Sequence, residues 1–206
     1  MFLAIYFFLM KILNLYAGIG GNRKLWGDNH EITAVELCPK IAKKYSELYP
    51  NDTLIVGDAH EYLINNFQNF DFIWASPPCQ THSRINYLLN KTQKVRYIDA
   101  KLIQEIVLLQ NNCEGLFCVE NVISYYPPII MPSVTIGRHY FWSNFKICPI
   151  KQANDEIGRI TGKNRKYKNI TERNAVNSEL ALHILKCAES KEYAKNYFEP
   201  IALFSQ

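Results

Sequence analysis

Short apolar runs alternate with helical segments over the first 120 residues of this chain, and that order constrains its fold more than any other feature. A strand, a helix and a further strand in repeated succession are typical of a mostly parallel sheet, because each helix carries the chain back across the sheet. The sequence therefore predicts an α/β fold: a Rossmann-like, mostly parallel sheet with helices on both faces. The predicted strands are residues 11–16, 31–36, 53–56, 70–75 and 116–119; the predicted helices are 39–48, 59–66, 99–111 (with Asp99 as N-cap) and 178–187; a later hairpin includes 142–147.

Composition favours one globular domain. The chain has 206 residues, of which 48% are hydrophobic, and this is enough for a sizeable core. Its formal net charge of +4 permits nucleic acid as a partner without requiring it. The six cysteines lack the paired spacing of a zinc site, which indicates reduced thiols and a cytoplasmic protein.

The first nine residues, MFLAIYFFL, form a separate apolar segment. They are too few to span a bilayer, and they lack the charged start and small-residue cleavage site of a signal peptide. We expect residues 1–9 to be an extension upstream of a functional start at Met10, or an extra piece on the sheet edge. Residues 10–206 then form a single domain, and expression from Met10 tests this division because the shorter chain should still fold.

A cysteine follows the fourth predicted strand in the run Ser76-Pro77-Pro78-Cys79-Gln80. The end of a strand is where open α/β sheets place their chemistry, and the two prolines hold the thiol in a defined direction. Cys79 is therefore a candidate nucleophile. A cysteine taken alone is more often an inert apolar residue, so the assignment depends on its neighbours.

Three other predicted strands end in residues that suit an adenosine-bearing ligand. The glycine-rich turn at 17–21 lets the backbone approach a ligand closely. Glu36 can accept both hydroxyls of a ribose, Leu37 can lie against a purine face, and Asp58 can accept from an adenine amino group. The chain lacks the lysine of a phosphate-binding loop, so a nucleoside sulfonium fits better than a triphosphate. The alternative is that both acids are ordinary solvated loop residues.

The order of these features resembles the DNA cytosine-5 methyltransferase family over most of residues 11–188. The family's first motif corresponds to Leu15-Tyr16-Ala17-Gly18-Ile19-Gly20-Gly21, its nucleophile motif to Pro77-Pro78-Cys79-Gln80, and its acid motif to Glu120-Asn121-Val122. Its arginine motif corresponds to Arg138-His139-Tyr140-Phe141-Trp142 and its last motif to Arg173-Asn174-Ala175-Val176. The resemblance implies that 10–206 is a catalytic domain with the S-adenosylmethionine-dependent methyltransferase fold.

The resemblance also implies residue roles without a metal. Cys79 attacks C6 of a flipped-out cytosine in DNA, Glu120 donates a proton at N3, and either Arg138 or His139 supplies the cation near the carbonyl. The Cys79 thiol needs help to ionise, from the basic stretch after it or from the dipoles of the site. The cofactor is S-adenosylmethionine, and the residues implied to bind it are Tyr16, Gly18, Gly20, Gly21, Glu36, Leu37, Asp58, Ala59, Pro78, Asn174 and Ala175.

Two basic segments are expected to contact DNA. Residues 81–98 would close over the target, and residues 146–173 stand where the family carries a target recognition domain. Because 146–173 is loop-sized, four hypotheses stay open: an autonomous DNA methyltransferase, the catalytic subunit of a split enzyme with a separate recognition chain, a non-catalytic DNA- or cofactor-binding remnant, and the same chemistry on RNA.

Overall fold

The structure, a computed structural model, describes residues 9–90, 96–150 and 176–190. The predicted extension at 1–9 (apart from Leu9) and most of the basic segment 146–173 lie outside these residues. The strands are β1 Lys11–Leu15, β2 Glu31–Glu36, β3 Thr53–Val56, β4 Phe72–Ala75, β5 Leu116–Val122, β6 Val134–Ile136 and β7 His139–Ser143. The helices are α1 Pro39–Leu48, α2 Ala59–Asn66, α3 Arg84–Asn90, α4 Lys101–Asn112 and α5 Ser178–Glu189.

These strands form one seven-stranded sheet in the order β3-β2-β1-β4-β5-β7-β6. Neighbours from β3 to β5 pair in parallel, whereas β7 runs antiparallel to both β5 and β6. The mostly parallel sheet predicted from the alternating pattern is thus confirmed. Its parallel strands all end at one edge, the carboxyl edge, which is where an open α/β sheet forms its site.

Helices cover both faces of the sheet, as predicted. Along β4 the side chains alternate, so Phe72 and Trp74 pack in the cluster that contains α5, while Ile73 and Ala75 pack in the cluster that contains α2 and α4. A strand buried on both faces reads as an unbroken apolar run, which explains why β4 was recognisable from the sequence. Within the described residues, no helix is long and apolar enough to cross a membrane.

Several predicted boundaries are wrong for local reasons. β1 ends before Tyr16, whose φ of 57° places it in the left-handed region. The hairpin is formed by β6 and β7, so only Trp142 and Ser143 of the predicted 142–147 belong to it. Gly137, with φ of 59°, takes the first position of its two-residue turn. β5 runs on to Val122 because β7 pairs with it, so Glu120 lies inside a strand and not beyond its end.

Two helical predictions also need correction. The N-cap of α4 is Ala100, not Asp99, although the Asp99 carboxylate still accepts a hydrogen bond of 3.0 Å from the Lys101 N–H. The basic segment 81–98, for which no helix was predicted, contains the helix α3. β4 begins at Phe72 and α5 continues to Glu189, each two residues from the predicted bound.

Candidate active site

The carboxyl edge brings the predicted cysteine and the predicted acid together from neighbouring strands. Cys79 follows β4, and Glu120 lies in β5, which pairs in parallel with β4. Asn121, buried beside Glu120, donates from its side-chain amide to the Pro77 carbonyl at 2.9 Å. This bond ties the Pro-Pro-Cys turn to β5, so the register of the two strands fixes where the thiol stands relative to the acid.

The turn at Cys79 is closed by its own backbone. The Cys79 carbonyl accepts from the N–H groups of His82 at 3.1 Å and Ser83 at 3.0 Å, and the side chain is partly buried. Burial raises the pKa of the Cys79 thiol, and the Glu120 charge raises it further. The cysteine is therefore a protonated thiol at neutral pH in this state, and the dipoles of the turn do not outweigh its burial.

Glu120 is an acid kept partly neutral by its surroundings. Burial raises the pKa of its carboxyl to about 7, opposed by a hydrogen bond with the Ser76 side chain. The nearest imidazole is that of His139, whose Nε2 lies 3.6 Å from Glu120 Oε1. Burial and the charge of Arg138 lower the pKa of His139 to about 4, so His139 is neutral near pH 7 and provides no counter-ion. Glu120 therefore has the buried setting that a proton donor at N3 requires.

The two candidates for the arginine role lie at different depths. Arg138 is exposed in the turn between β6 and β7, and His139 is partly buried next to Glu120. The structure thus brings His139 to the acid, while Arg138 stands at the rim with its side chain towards solvent. Assignment of the cation to either residue stays a prediction.

The glycine-rich turn after β1 joins the end of β2 through Glu36. The Glu36 carboxylate accepts from the N–H of Gly18 at 2.9 Å and from that of Cys38 at 2.8 Å. Gly20 adopts a φ of 76°, and a Cβ there would lie 2.2 Å from the Tyr49 ring, so another residue would disrupt the turn. Gly21 is half-buried in the same turn.

This end of the sheet fits an adenosine-bearing cofactor. The Glu36 carboxylate uses two of its roughly four acceptor sites for the turn, which leaves others for ribose hydroxyls. Leu37 follows it and is 67% exposed, so it presents an apolar surface beside the acid that a purine face would cover. Pro78, on the neighbouring loop, is also exposed. Asn174 and Ala175, the remaining predicted contacts, lie outside the described residues.

The Asp58 carboxylate accepts more hydrogen bonds from within the protein than its position after a strand suggested. Its side chain caps α2 by accepting from the N–H groups of His60 and Glu61, and it also accepts from the Lys101 ammonium at 2.9 Å. Lys101 is the main cause that lowers the pKa of Asp58. Ala59 begins the helix behind it and is buried. Asp58 is therefore held as a carboxylate at the end of β3, with its direction set by the helix cap.

A buried cluster beneath the glycine-rich turn was not predicted. Glu105 of α4 is 0% exposed, and its Oε1 accepts from the Tyr16 hydroxyl and lies 2.9 Å from His60 Nδ1. Its Oε2 is buried without a partner among the described residues, and burial raises the pKa of the carboxyl. The cluster holds Tyr16 in its left-handed conformation. The sequence signal that could have revealed the cluster is an acidic residue on the same helix face as the apolar residues Leu102, Ile106 and Leu109.

His82 was also missed, because nothing in its immediate sequence marks it as buried. It is 1% exposed, and its Nδ1 lies 2.5 Å from the Tyr126 hydroxyl. Its carbonyl accepts from the Tyr125 N–H at 3.1 Å, and Ser83 forms an antiparallel bridge with Ser124. The segment that follows Cys79 is thus attached to the segment that follows β5.

Comparison with known proteins matches this arrangement to one family. Residues 10–124, more than half of the chain, match the family model described as C-5 cytosine-specific DNA methylase. This stretch runs from β1 through β5 and includes the glycine-rich turn, the Cys79 turn and Glu120. No curated protein matches the chain.

Solved methyltransferase structures align with about half of the chain. A DNMT2 mutant from Spodoptera frugiperda is 28% identical with a TM-score of 0.39, over 54% of this chain and 35% of that one. EhMeth from Entamoeba histolytica is 17% identical with a TM-score of 0.39, over 56% and 38%. A TehB-like SAM-dependent methyltransferase from Corynebacterium glutamicum is 17% identical with a TM-score of 0.37, over 55% of each chain. The alignments thus span less than two thirds of each of these proteins.

Proposed function

The chain belongs to the C-5 cytosine-specific DNA methylase family, and we propose that it transfers a methyl group to C5 of cytosine in DNA through a covalent bond between Cys79 and C6. Family membership makes it a methyltransferase with S-adenosylmethionine as its cofactor. The observation that carries the finer proposal is the joining of the Cys79 turn to the strand of the buried acid Glu120 by the hydrogen bond from Asn121 to Pro77. A nucleophile and a proton donor are thereby held at one place on the carboxyl edge.

Glu120 acts first as an acid on the cytosine ring. Since its pKa is raised to about 7, a large fraction of the carboxyl is protonated at neutral pH and donates to N3. Protonation at N3 makes C6 electrophilic. Before the proton moves to N3, a neutral Glu120 also leaves no negative charge beside Cys79, and this removes one cause of the raised pKa of the thiol.

Cys79 loses its proton to solvent and adds to C6 as the thiolate, and the electron pair of the C5–C6 double bond moves to C5. The cofactor supplies a methyl group on a sulfonium, and the residues that would hold it are Tyr16, Gly18, Glu36, Leu37 and Asp58. After C5 is methylated, a solvent base (water or hydroxide) takes the C5 proton, the electron pair of that C–H bond re-forms the C5–C6 double bond, and the Cys79 thiolate leaves. The N3 proton returns to Glu120. The cytosine must leave a base stack to meet Cys79, which costs a few kcal/mol in a duplex.

The test uses the full chain with labelled S-adenosylmethionine and cytosine-containing DNA. We expect label in 5-methylcytosine, and we expect a stable adduct with DNA that carries 5-fluorocytosine, because fluorine at C5 cannot leave as a proton does. Cys79→Ser should abolish both signals. Cys113→Ser, at a half-buried cysteine after α4, is the matched control and should retain them. Label in DNA without the adduct would refute the covalent route, and no label on any DNA would refute the function.

A separate recognition chain is a second arrangement of the same chemistry. The family match ends at residue 124, and the chain has only residues 146–173 where a recognition domain is expected. A split enzyme would bind S-adenosylmethionine alone but label DNA only after the partner is added. The free cysteines fit a reducing compartment, so we place the protein in the cytoplasm with the DNA.

A further inference from the structure

Exposed tyrosines concentrate in the segment that follows the catalytic cysteine. Tyr87 in α3 is 48% exposed and Tyr97 is 91% exposed. Within residues 9–90, 96–150 and 176–190, every other tyrosine is buried or half-buried. Aromatic rings tend to bury their area, so two exposed tyrosines within eleven positions of each other form a feature that core packing does not explain.

Tyr125 extends this surface from the other side of the site. The Tyr87 and Tyr125 rings are stacked, with centroids 5.7 Å apart and an interplanar angle of 27°. Tyr126 meets Tyr125 edge-on at 5.1 Å. We call Tyr87, Tyr97 and Tyr125 the tyrosine surface. The stacked rings of Tyr87 and Tyr125 resemble the start of a stack to which a further flat ring can be added.

The tyrosine surface is fastened to the turn that carries Cys79. The Tyr125 N–H donates to the His82 carbonyl at 3.1 Å, and the His82 N–H donates to the Cys79 carbonyl at 3.1 Å. On the side of Tyr97, the N–H of Asp99 donates to the Thr81 hydroxyl at 3.0 Å. These bonds attach the segments that carry Tyr97 and Tyr125 to the turn that carries the thiol.

Cationic side chains border the same surface. Arg84 lies three residues before Tyr87 in α3, and Arg96 directly precedes Tyr97. Arg138 lies in the turn after β6, where its carbonyl accepts from the Ile123 N–H at 3.0 Å, two residues before Tyr125. All three arginines are exposed. Guanidinium groups bind phosphates, and exposed rings bind base faces whatever the base. Rings alternating with cations are typical of surfaces that hold single-stranded nucleic acid, because the faces of bases inside a duplex are already covered by their neighbours.

We propose that the tyrosine surface stacks unpaired nucleotides beside the target cytosine, and that the substrate is single-stranded or locally unpaired DNA. This inference rests on the proposed function and specifies its substrate class. It accounts for a chain with a loop-sized segment where a recognition domain is expected: unpaired cytosine needs no base flipping, and stacking needs no base-edge contacts. Target choice then depends on strand state more than on sequence.

The test measures binding apart from chemistry, with the full chain carrying Cys79→Ser. Fluorescence anisotropy compares one labelled oligonucleotide as a single strand, as a duplex, and as a duplex with a bubble at the cytosine. We expect the single strand and the bubble to bind at least about tenfold more tightly than the duplex. Tyr87→Ala and Tyr97→Ala should each weaken single-strand binding about tenfold, the loss typical of one stacked base, whereas the phenylalanine variants should bind normally.

The controls separate stacking from general damage. Leu48→Ala removes a comparably exposed apolar side chain at the end of α1 and should not change binding. Tyr87 and Tyr97 are exposed, so their variants should fold even if Tyr125→Ala does not. Duplex binding as tight as single-strand binding, or equal effects of alanine and phenylalanine, would overturn the inference. So would a preference for RNA of the same sequence. Labelling of duplex DNA as fast as single strands would overturn it while leaving the proposed function intact.

Discussion

The ends of β2 and β3 and the middle of β5 hold carboxylates in opposite ways. Glu36 and Asp58 accept hydrogen bonds from backbone amides, and Asp58 also pairs with the Lys101 ammonium. Glu120 is buried, and its neighbours are the Ser76 hydroxyl and the neutral imidazole of His139. One edge of one sheet thus presents Asp58, a carboxylate whose pKa is lowered, and Glu120, a carboxyl that is partly neutral at pH 7.

The difference shows that burial and donors, not residue type, set the ionisation of each acid. Lys101 lowers the pKa of Asp58, while burial raises the pKa of Glu120 to about 7. An ionised carboxylate suits the hydroxyl and amino donors of an adenosine group. A neutral carboxyl suits donation to N3 of a pyrimidine.

The largest effect is expected for Glu120→Gln. Glutamine fits the same space but cannot transfer a proton, so methyl transfer should fall about 10²- to 10⁴-fold in a labelling assay. The affinity for S-adenosylmethionine, measured by calorimetry, should stay within about twofold because Glu36 and Asp58 are unchanged. Glu114→Gln changes an exposed acid just before β5 and should retain full activity. A Glu120→Gln enzyme that works near the normal rate would show that the buried carboxyl is structural.

The next effect is on stability, and it depends on pH. The folded-state pKa of Glu120 lies above its ordinary value of 4.5, at about 7, so its contribution is fully present below pH 4.5 and is lost as the pH rises through 7. That shift corresponds to roughly 3 kcal/mol. Urea unfolding should therefore find Glu120→Gln close to the normal protein at pH 4.5 and more stable by up to about that amount at pH 8.5. An unchanged difference between the two pH values would mean that Glu120 ionises freely.

The sequence alone predicted most of the fold, but not the end of every strand and not the partners of the polar side chains. The helices at 39–48 and 59–66 and the buried run of β4 follow from local periodicity and were correct. Glu120 was placed at the end of its strand rather than inside it, because the pairing of β5 with β7 is a long-range contact. The hydrogen bond from Lys101 to Asp58 joins residues 43 positions apart, and the one from Tyr16 to Glu105 joins residues 89 positions apart. No local sequence pattern indicates contacts at such separations.

The smallest effect is expected for Lys101→Met. The ion pair with Asp58 is exposed, 42% at the lysine and 37% at the aspartate, so solvent screening should limit its loss to less than about 1 kcal/mol at pH 7. Because the pKa of Asp58 is lowered in the fold, this contribution is present above pH 3.8 and disappears as the pH falls through the folded-state pKa, opposite in sign to Glu120. Urea unfolding at pH 7 and pH 3 measures it.

Asp58→Ser is the matched variant for the cofactor side of the comparison. Serine keeps the N-cap of α2 but loses both the ion pair and the acceptor proposed for adenine. Calorimetry should therefore find that Asp58→Ser binds S-adenosylmethionine about tenfold more weakly, because it loses one hydrogen bond to a charged group, worth roughly 1.5–3 kcal/mol at most. Lys101→Met keeps that acceptor and should bind the cofactor nearly normally. If Lys101→Met weakens cofactor binding as much as Asp58→Ser does, the Lys101 ammonium itself belongs to the cofactor site. The contrast between an ionised Asp58 that binds the cofactor and a neutral Glu120 would then no longer hold.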